Sequence, residues 1–456
     1  FTRHIGGRFQ KLRLFTGWPF LLGYFLGPWL TWGERQAILF DLPARQFHLF
    51  GLTIWPQDLW LLGWLLMIAA FSLFAVTTVV GRLWCGYTCP QTVWTAIFMW
   101  AEQITEGERH QRMRLDAVPA GLTRAFAQKL RKRTAKHTMW LGWALLTGVT
   151  FVGYFTPIRD IVTNLATADL AALGPWTLFW IVFFTAATYI NAGWMREQVC
   201  IYMCPYARFQ SAMIDKDTLI VSYDPQRGEP RGSRKRGAPA GDLGDCINCQ
   251  LCVQVCPTGI DIRDGLQYQC IGCAHCVDAC DQVMEKMGYA PGLVRYTTER
   301  QLHDPGQTHA HWLRPRSIGY ALVVLVMTAA LVVALWQRST LAFDVLRERG
   351  TLYHVVTQSA EGPVIRNDYQ LKIINKSQQT AQYTISVSAP HAAEMLSRDV
   401  AEVSPGVVEN ISLQVAMTAP PVSNLPLEVS LCDTQGHCVR ETTRFLAPGG
   451  KGENRP

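Results

Sequence analysis

The chain has 456 residues, 49% of them hydrophobic and 17% charged, and carries a formal charge of +7. That apolar share, with 16 tryptophans, exceeds what a soluble protein of this length requires. The positive balance does not point to nucleic acid, because Lys and Arg fall in blocks beside apolar segments, the pattern of a membrane protein's inner face. The sequence starts at Phe1 and not Met, so further residues are expected to precede it, and no signal peptide is visible.

A helix crosses a hydrocarbon core with about 20 apolar residues. Five segments meet that requirement: Leu14 to Trp32, Leu59 to Val80, Thr138 to Thr156, Gly174 to Met195 and Ile318 to Trp336. Basic residues set the expected orientation. Arg3, Arg8, Lys11 and Arg13 precede the first span, and a run from Arg109 to Lys136 separates the second from the third. The intervening loops hold only Arg35 and Arg45, and then Arg159. The N-terminus is therefore expected inside and the C-terminus outside.

Two cysteine pairs follow the second and fourth spans. One is Cys85 and Cys89 in WCGYTCPQ, and the other is Cys200 and Cys204 in VCIYMCPY. Both read C-x3-C-P, and a spacing of four puts two sulfurs on one face of a continuous helix. Free cysteines at a membrane boundary are often small buried hydrophobes. Two equivalent pairs in equivalent positions point instead to a functional role. Soft thiolates select Cu(I), a dithiol can cycle with a disulfide, and another metal centre is the third choice. Met203, between Cys200 and Cys204, is the best methionine candidate for copper.

Arg227, Arg231, Arg234, Lys235 and Arg236 lead into the stretch from Cys246 to Cys280, where C-x2-C-x2-C-x3-C occurs twice. A zinc ribbon or a disulfide framework also uses C-x2-C pairs, but the third cysteine of each run is surplus to them. In ferredoxin-type modules the fourth cysteine of one run ligates the other cluster. Cys246, Cys249, Cys252 and Cys280 are thus assigned to one [4Fe-4S] centre, and Cys270, Cys273, Cys276 and Cys256 to the second. Pro257 follows the first run as usual, whereas Asp281 stands in its place after the second.

From Tyr353 onward short alternating runs at Tyr369 to Ile374, Tyr383 to Val387, Ile411 to Val415 and Leu427 to Leu431 read as an all-β sandwich. Cys432 and Cys438 flank a turn there, and a disulfide is the simple expectation in an oxidising compartment. A metal site using His437 is the sharper one. No histidine lies in the middle of a predicted span to hold a haem, no G-x-G-x-x-G follows a strand, and His303, His309 and His311 read as an interfacial loop. The expected class is a multi-domain membrane protein: an α-helical transmembrane bundle of about five spans, a cytoplasmic two-cluster ferredoxin-like domain and a C-terminal all-β immunoglobulin-like periplasmic domain. The boundaries are 1–215, 216–316, 317–338 for the fifth span and 339–456.

WCGYTCPQTVW, DLPARQFHLFG at Asp41 to Gly51, VSYDPQRGEPRG before the clusters, the paired C-x3-C-P motifs and the β tail together resemble the CcoG family, also called FixG or RdxA, over almost the whole chain. The clusters and paired motifs are shared with a wider group of membrane polyferredoxins; the tail and the Asp41 segment single out this family. The resemblance implies a bacterial cytoplasmic-membrane copper reductase that converts Cu(II) to Cu(I) and supports assembly of cbb-type cytochrome oxidase. It matches Cys85, Cys89, Cys200 and Cys204 to the family's membrane-side motifs, as catalytic and copper-binding residues, and the eight later cysteines to its two [4Fe-4S] clusters. The expected partners are the lipid bilayer, copper ions, a copper chaperone or transporter, oxidase assembly factors, a cytoplasmic or quinol electron donor and a second copy in a homodimer. The competing readings are a quinol-linked electron conduit and a non-enzymatic assembly scaffold.

Overall fold

The computed structural model describes residues 2–237, 241–304, 313–338, 341–359, 362–377, 379–404, 406–418, 422–434 and 436–448. The chain divides into two compact units, one ending at Val332 and one beginning at Val333.

Among the described residues three helical segments are long and apolar enough to cross a membrane: Pro56–Val80 and Pro175–Met195 in the first unit, and Pro315–Trp336, which runs across the boundary at Val332. The other two expected spans are helical in part, at Arg8–Leu26 and from Thr138 to Val152 of the Arg124–Val152 helix, which stops four residues short of Thr156; both helices carry basic residues in their first turns. The first ends six residues before its expected limit at Trp32. Pro28 lacks an N–H, so the chain leaves the helix through a 3-10 turn at Gly27–Trp29. The segment around Asp41, expected as a loop, forms an antiparallel three-stranded sheet of Ile38–Asp41, Gln46–Leu49 and Leu52–Ile54.

The start of the Arg8–Leu26 helix is capped from far along the chain. Asp278 accepts from the Phe9 N–H at 3.1 Å and the Gln10 N–H at 2.8 Å, satisfying two of the donors a helix N-terminus leaves open. Gly7 permits this approach, since a Cβ there would stand 2.2 Å from the Asp278 carboxyl carbon. Deeper in the bundle, Phe98, Trp140, Ala144 and Ala192 form a buried cluster. Trp140 donates to the Phe98 carbonyl at 3.0 Å, and Trp94 to Thr147 Oγ1 at 2.9 Å, so both indoles bury their apolar area with the N–H satisfied.

The cysteine-rich segment is enclosed by an antiparallel strand pair, Ile220–Tyr223 with Val294–Thr297, and contains helices Leu251–Gln254 and His275–Met287. In the second unit, two antiparallel sheets carry the core. One orders Ala393–Met395, Val408–Thr418, Gly362–Asn375 and Leu341–Arg347, with His354–Ser359 added to Gly362–Asn375. The other orders Val400–Val403, Ala381–Ser388, Asn424–Asp433 and Cys438–Leu446. Ile365, Leu371, Leu413, Val415, Leu427 and Phe445 are fully buried between them, one face of each strand in alternation. Cys432 and Cys438 are opposite one another in the last hairpin and form a disulfide.

Candidate metal centres

Two cavities in the ferredoxin-like segment are lined by the cysteines as the crossed assignment requires. Cys246, Cys249, Cys252 and Cys280 line one, with about 380 Å³ of space unfilled by atoms. Cys256, Cys270, Cys273 and Cys276 line the other, with about 360 Å³, and Cys252 borders it as well. The backbone around the two runs is the same. Asn248 and Gln250 flank Cys249 with φ of 52° and 54°, and Gly272 and Ala274 flank Cys273 with φ of 67° and 58°. Such left-handed residues among right-handed ones turn successive N–H groups into a concavity that favours anions, a feature of many iron-sulfur sites.

Burial pushes the Cys252 thiol up to about 11 and those of Cys270 and Cys280 up to about 12. Left to itself each would stay protonated at neutral pH, so thiolate formation here depends on iron displacing the proton. Among the described residues, no group of three His, Cys, Asp or Glu side chains is drawn together tightly enough to hold a single metal ion. Four soft thiols spaced around each cavity fit a polynuclear cluster, in which each iron takes one protein sulfur.

The C-x3-C-P pairs do not lie on one helical face. Cys85 is inside the short helix Leu83–Tyr87, whereas Cys89 is the N-cap of Pro90–Glu106, with ψ of 129°. Cys200 lies in a π-helical turn, Val199–Met203, and Cys204 caps Pro205–Met213 with ψ of 110°. Proline explains the departure, because the residue before it is excluded from the helical region. Each motif therefore presents one thiol from a closing turn and one from the start of the next helix.

The four sulfurs share one neighbourhood. Burial pushes Cys200 up to about 12, and Cys89, Cys85 and Cys204 add to it in that order. Burial and then Cys89 push Cys85 up to about 12, against the charge of Arg82 and a bond to Gln210. At Cys89 burial also raises the pKa, offset by the Gln91 and Thr92 N–H groups at the helix start. The Cys85 thiol donates to Gln210 Oε1 at 3.2 Å, and the fully buried Gln210 donates to Thr77 Oγ1 at 3.3 Å.

This thiol group abuts the second cysteine cavity. A Cβ on Gly86 would meet the Gly272 carbonyl oxygen at 2.9 Å, so the turn holding Cys85 rests on the loop between Cys270 and Cys273. Arg82, only 8% exposed, ties the pieces together. Its guanidinium donates to the Tyr268 carbonyl, to that of Cys270 at 3.3 Å and to that of Ala207 at 2.6 Å. Replacing Arg82 by Gln leaves buried carbonyls without donors, and a loss of about 1–3 kcal/mol is expected, measured as a lower midpoint of thermal unfolding in detergent.

Sequence reasoning missed Arg82, Gln210, Asp278 and His275. His275 lines the second cavity and meets Arg13 at 2.5 Å and Gln10 at 2.7 Å. Burial and then Arg13 push its pKa down to about 3, so it stays neutral. Other candidates are placed elsewhere. His48 pairs with Thr53, His137 with Tyr189, and His437 with Asp433 beside the disulfide. Met203 is 58% exposed. His303 ends the short helix Glu299–His303, while His309 and His311 lie outside the described residues.

Three stretches of the chain match known families. Residues 62–104, which include Cys85 and Cys89, match a family described as "4Fe-4S binding domain". Residues 195–299 match "4Fe-4S dicluster domain", and residues 331–448 match "IG-like fold at C-terminal of FixG, putative oxidoreductase". The nitrogen fixation protein FixG of Rhizobium meliloti is 38% identical over 431 residues, covering 87% of this chain and 80% of that protein. Protein RdxB of Cereibacter sphaeroides is 40% identical over 401 residues, covering 85% and 82%. Protein RdxA of the same organism is 37% identical over 398 residues, covering 85% and 81%.

Proposed function

The chain belongs to the FixG family, whose members include RdxA and RdxB, and on that premise we propose that it reduces Cu(II) to Cu(I) for copper delivery during assembly of a cbb-type cytochrome oxidase. At the coarser level it is a FixG-type iron-sulfur oxidoreductase with apolar helices suited to a membrane. Cys246, Cys249, Cys252 and Cys280 hold one [4Fe-4S] cluster, and Cys256, Cys270, Cys273 and Cys276 the second. When bound, these clusters supply one-electron reducing equivalents.

Cys85, Cys89, Cys200 and Cys204 receive the substrate ion two thiols at a time, since no three of them lie close enough to share it. The observation that carries this reading is the packing of the Cys85 turn against the loop that bounds the second cluster cavity, with Arg82 bonded both to that loop and to the helix that Cys204 begins. Thiolates stabilise the reduced ion over the oxidised one and so raise its potential. Gln210 holds Cys85, and the helix starts at Pro90 and Pro205 orient Cys89 and Cys204. The clusters and N-terminus face the cytoplasm and the sandwich the periplasm, with Cu(I) passing to a chaperone or transporter.

The purified full chain, reduced with dithionite and desalted, tests this. Given Cu(II), it should yield about two Cu(I) per chain on a Cu(I)-specific chelator, one for each one-electron centre. A yield no greater than that of the oxidised protein overturns the reading.

A further inference from the structure

A third cavity, larger than either cysteine-lined one, encloses about 780 Å³ of unfilled space including its mouth. It opens where the Leu59–Val80 helix ends. Val80, Leu83, Ile214, Leu219 and Leu266 give it apolar walls, and Cys270 and Gly272 lie in its lining. Leu266 and Tyr268 at the cavity are 50% and 45% exposed, so the rim itself is apolar and aromatic.

The polar groups are few and of one kind. Ser211, Gln267, Tyr268 and Tyr296 line the space alongside Arg82. Ser211 donates to the Arg208 carbonyl and Gln267 to that of Asp261, which leaves their oxygens as acceptors. Tyr268 is a half-exposed phenol in the lining. Arg82 is the cation in the lining, and three backbone carbonyls engage it. A nucleotide cofactor would bring phosphates with no cation left to meet them. An uncharged ring with two hydroxyls and an isoprenoid tail matches both the neutral polar groups and the apolar wall.

We propose that this cavity binds the headgroup of a membrane quinol and is the entry site for electrons. The direction of flow rests on the copper-reductase reading, whereas occupancy of the cavity does not. In the overall reaction one quinol loses two O–H protons and two electrons and becomes the quinone. Two Cu(II) ions are the oxidant and each takes one electron to give Cu(I); both protons leave to water at the mouth. The stoichiometry is one quinol to two Cu(I).

The test uses the full chain in detergent and the fluorescent quinone analogue 2-heptyl-4-hydroxyquinoline N-oxide. Saturable quenching is expected with the wild type. Leu266→Asp places a carboxylate on the apolar wall at an exposed position and should weaken the analogue at least tenfold. It should also cut decylubiquinol-driven Cu(I) formation at least tenfold and leave dithionite-driven Cu(I) formation unchanged. Photolabelling of wild type with an azidoquinone reads the site without any substitution, and the label should fall within 211–221 or 266–272. Absent quenching, displacement of the analogue by excess phospholipid alone, label elsewhere, or unchanged analogue binding and quinol-driven rates in Leu266→Asp would each overturn the proposal. Analogue binding without dithionite-driven Cu(I) formation sinks the copper reading and leaves the quinol site standing.

Discussion

Serine at both Cys85 and Cys89 is expected to abolish Cu(I) formation by the prereduced protein while iron and sulfide remain at about eight each per chain. The two substitutions separate ligand chemistry from structure unusually well. Cys85 donates to Gln210 Oε1, and a serine hydroxyl can make the same bond. Cys89 caps a helix, and serine is among the preferred caps. What disappears is softness, since a hydroxyl is a poor partner for Cu(I). Even loss of a group that only orients a ligand costs about 10–100-fold in metal affinity or activity, so removing two ligands should exceed about 100-fold. A chelator assay that still reports Cu(I) at the wild-type rate would remove these cysteines from the reaction.

The crossed pairing of the ferredoxin cysteines is expected to appear in double variants. Cys249 and Cys280 line the same cavity although they belong to different runs. Replacing both by Ala should therefore remove one cluster and leave about four irons per chain. Cys249 and Cys256 belong to the same run but line different cavities. Their joint replacement should remove both clusters. Iron analysis with electron paramagnetic resonance reads the result, and the opposite order, with Cys249 and Cys256 the milder pair, would mean that each run closes on itself.

The ferredoxin segment was legible because the spacing of ligands within a run is local, and only the crossing is a tertiary fact. The alternating strands at Tyr369, Ile411 and Leu427 were legible for the same reason, as one face of each is buried. The C-x3-C-P pairs are legible as motifs, but the continuous helix that would put both sulfurs on one face is absent. The proline that identifies the motif also breaks that helix. Arg82 was hidden because its partners are backbone carbonyls 125 to 188 residues away, and any residue type supplies a carbonyl. Gln210 was hidden in the same way, its importance depending on a thiol 125 residues earlier. The orientation of the spans rests on the distribution of Lys and Arg, and the oxidase partners on family likeness.

The carboxylate that caps the first helix has a consequence for the order in which the protein is made. Asp278 follows Phe9 by 269 positions and lies in the His275–Met287 helix, between Cys276 and Cys280. At about 5–20 residues per second, the ribosome supplies that carboxylate tens of seconds after the first helix has emerged. Until then its leading N–H groups have only water or lipid headgroups as partners. The cap is complete only once the His275–Met287 helix, which carries Cys276 and Cys280, has folded. The start of the first helix and the second cysteine run are thus finished together, although 269 positions separate the residues that join them.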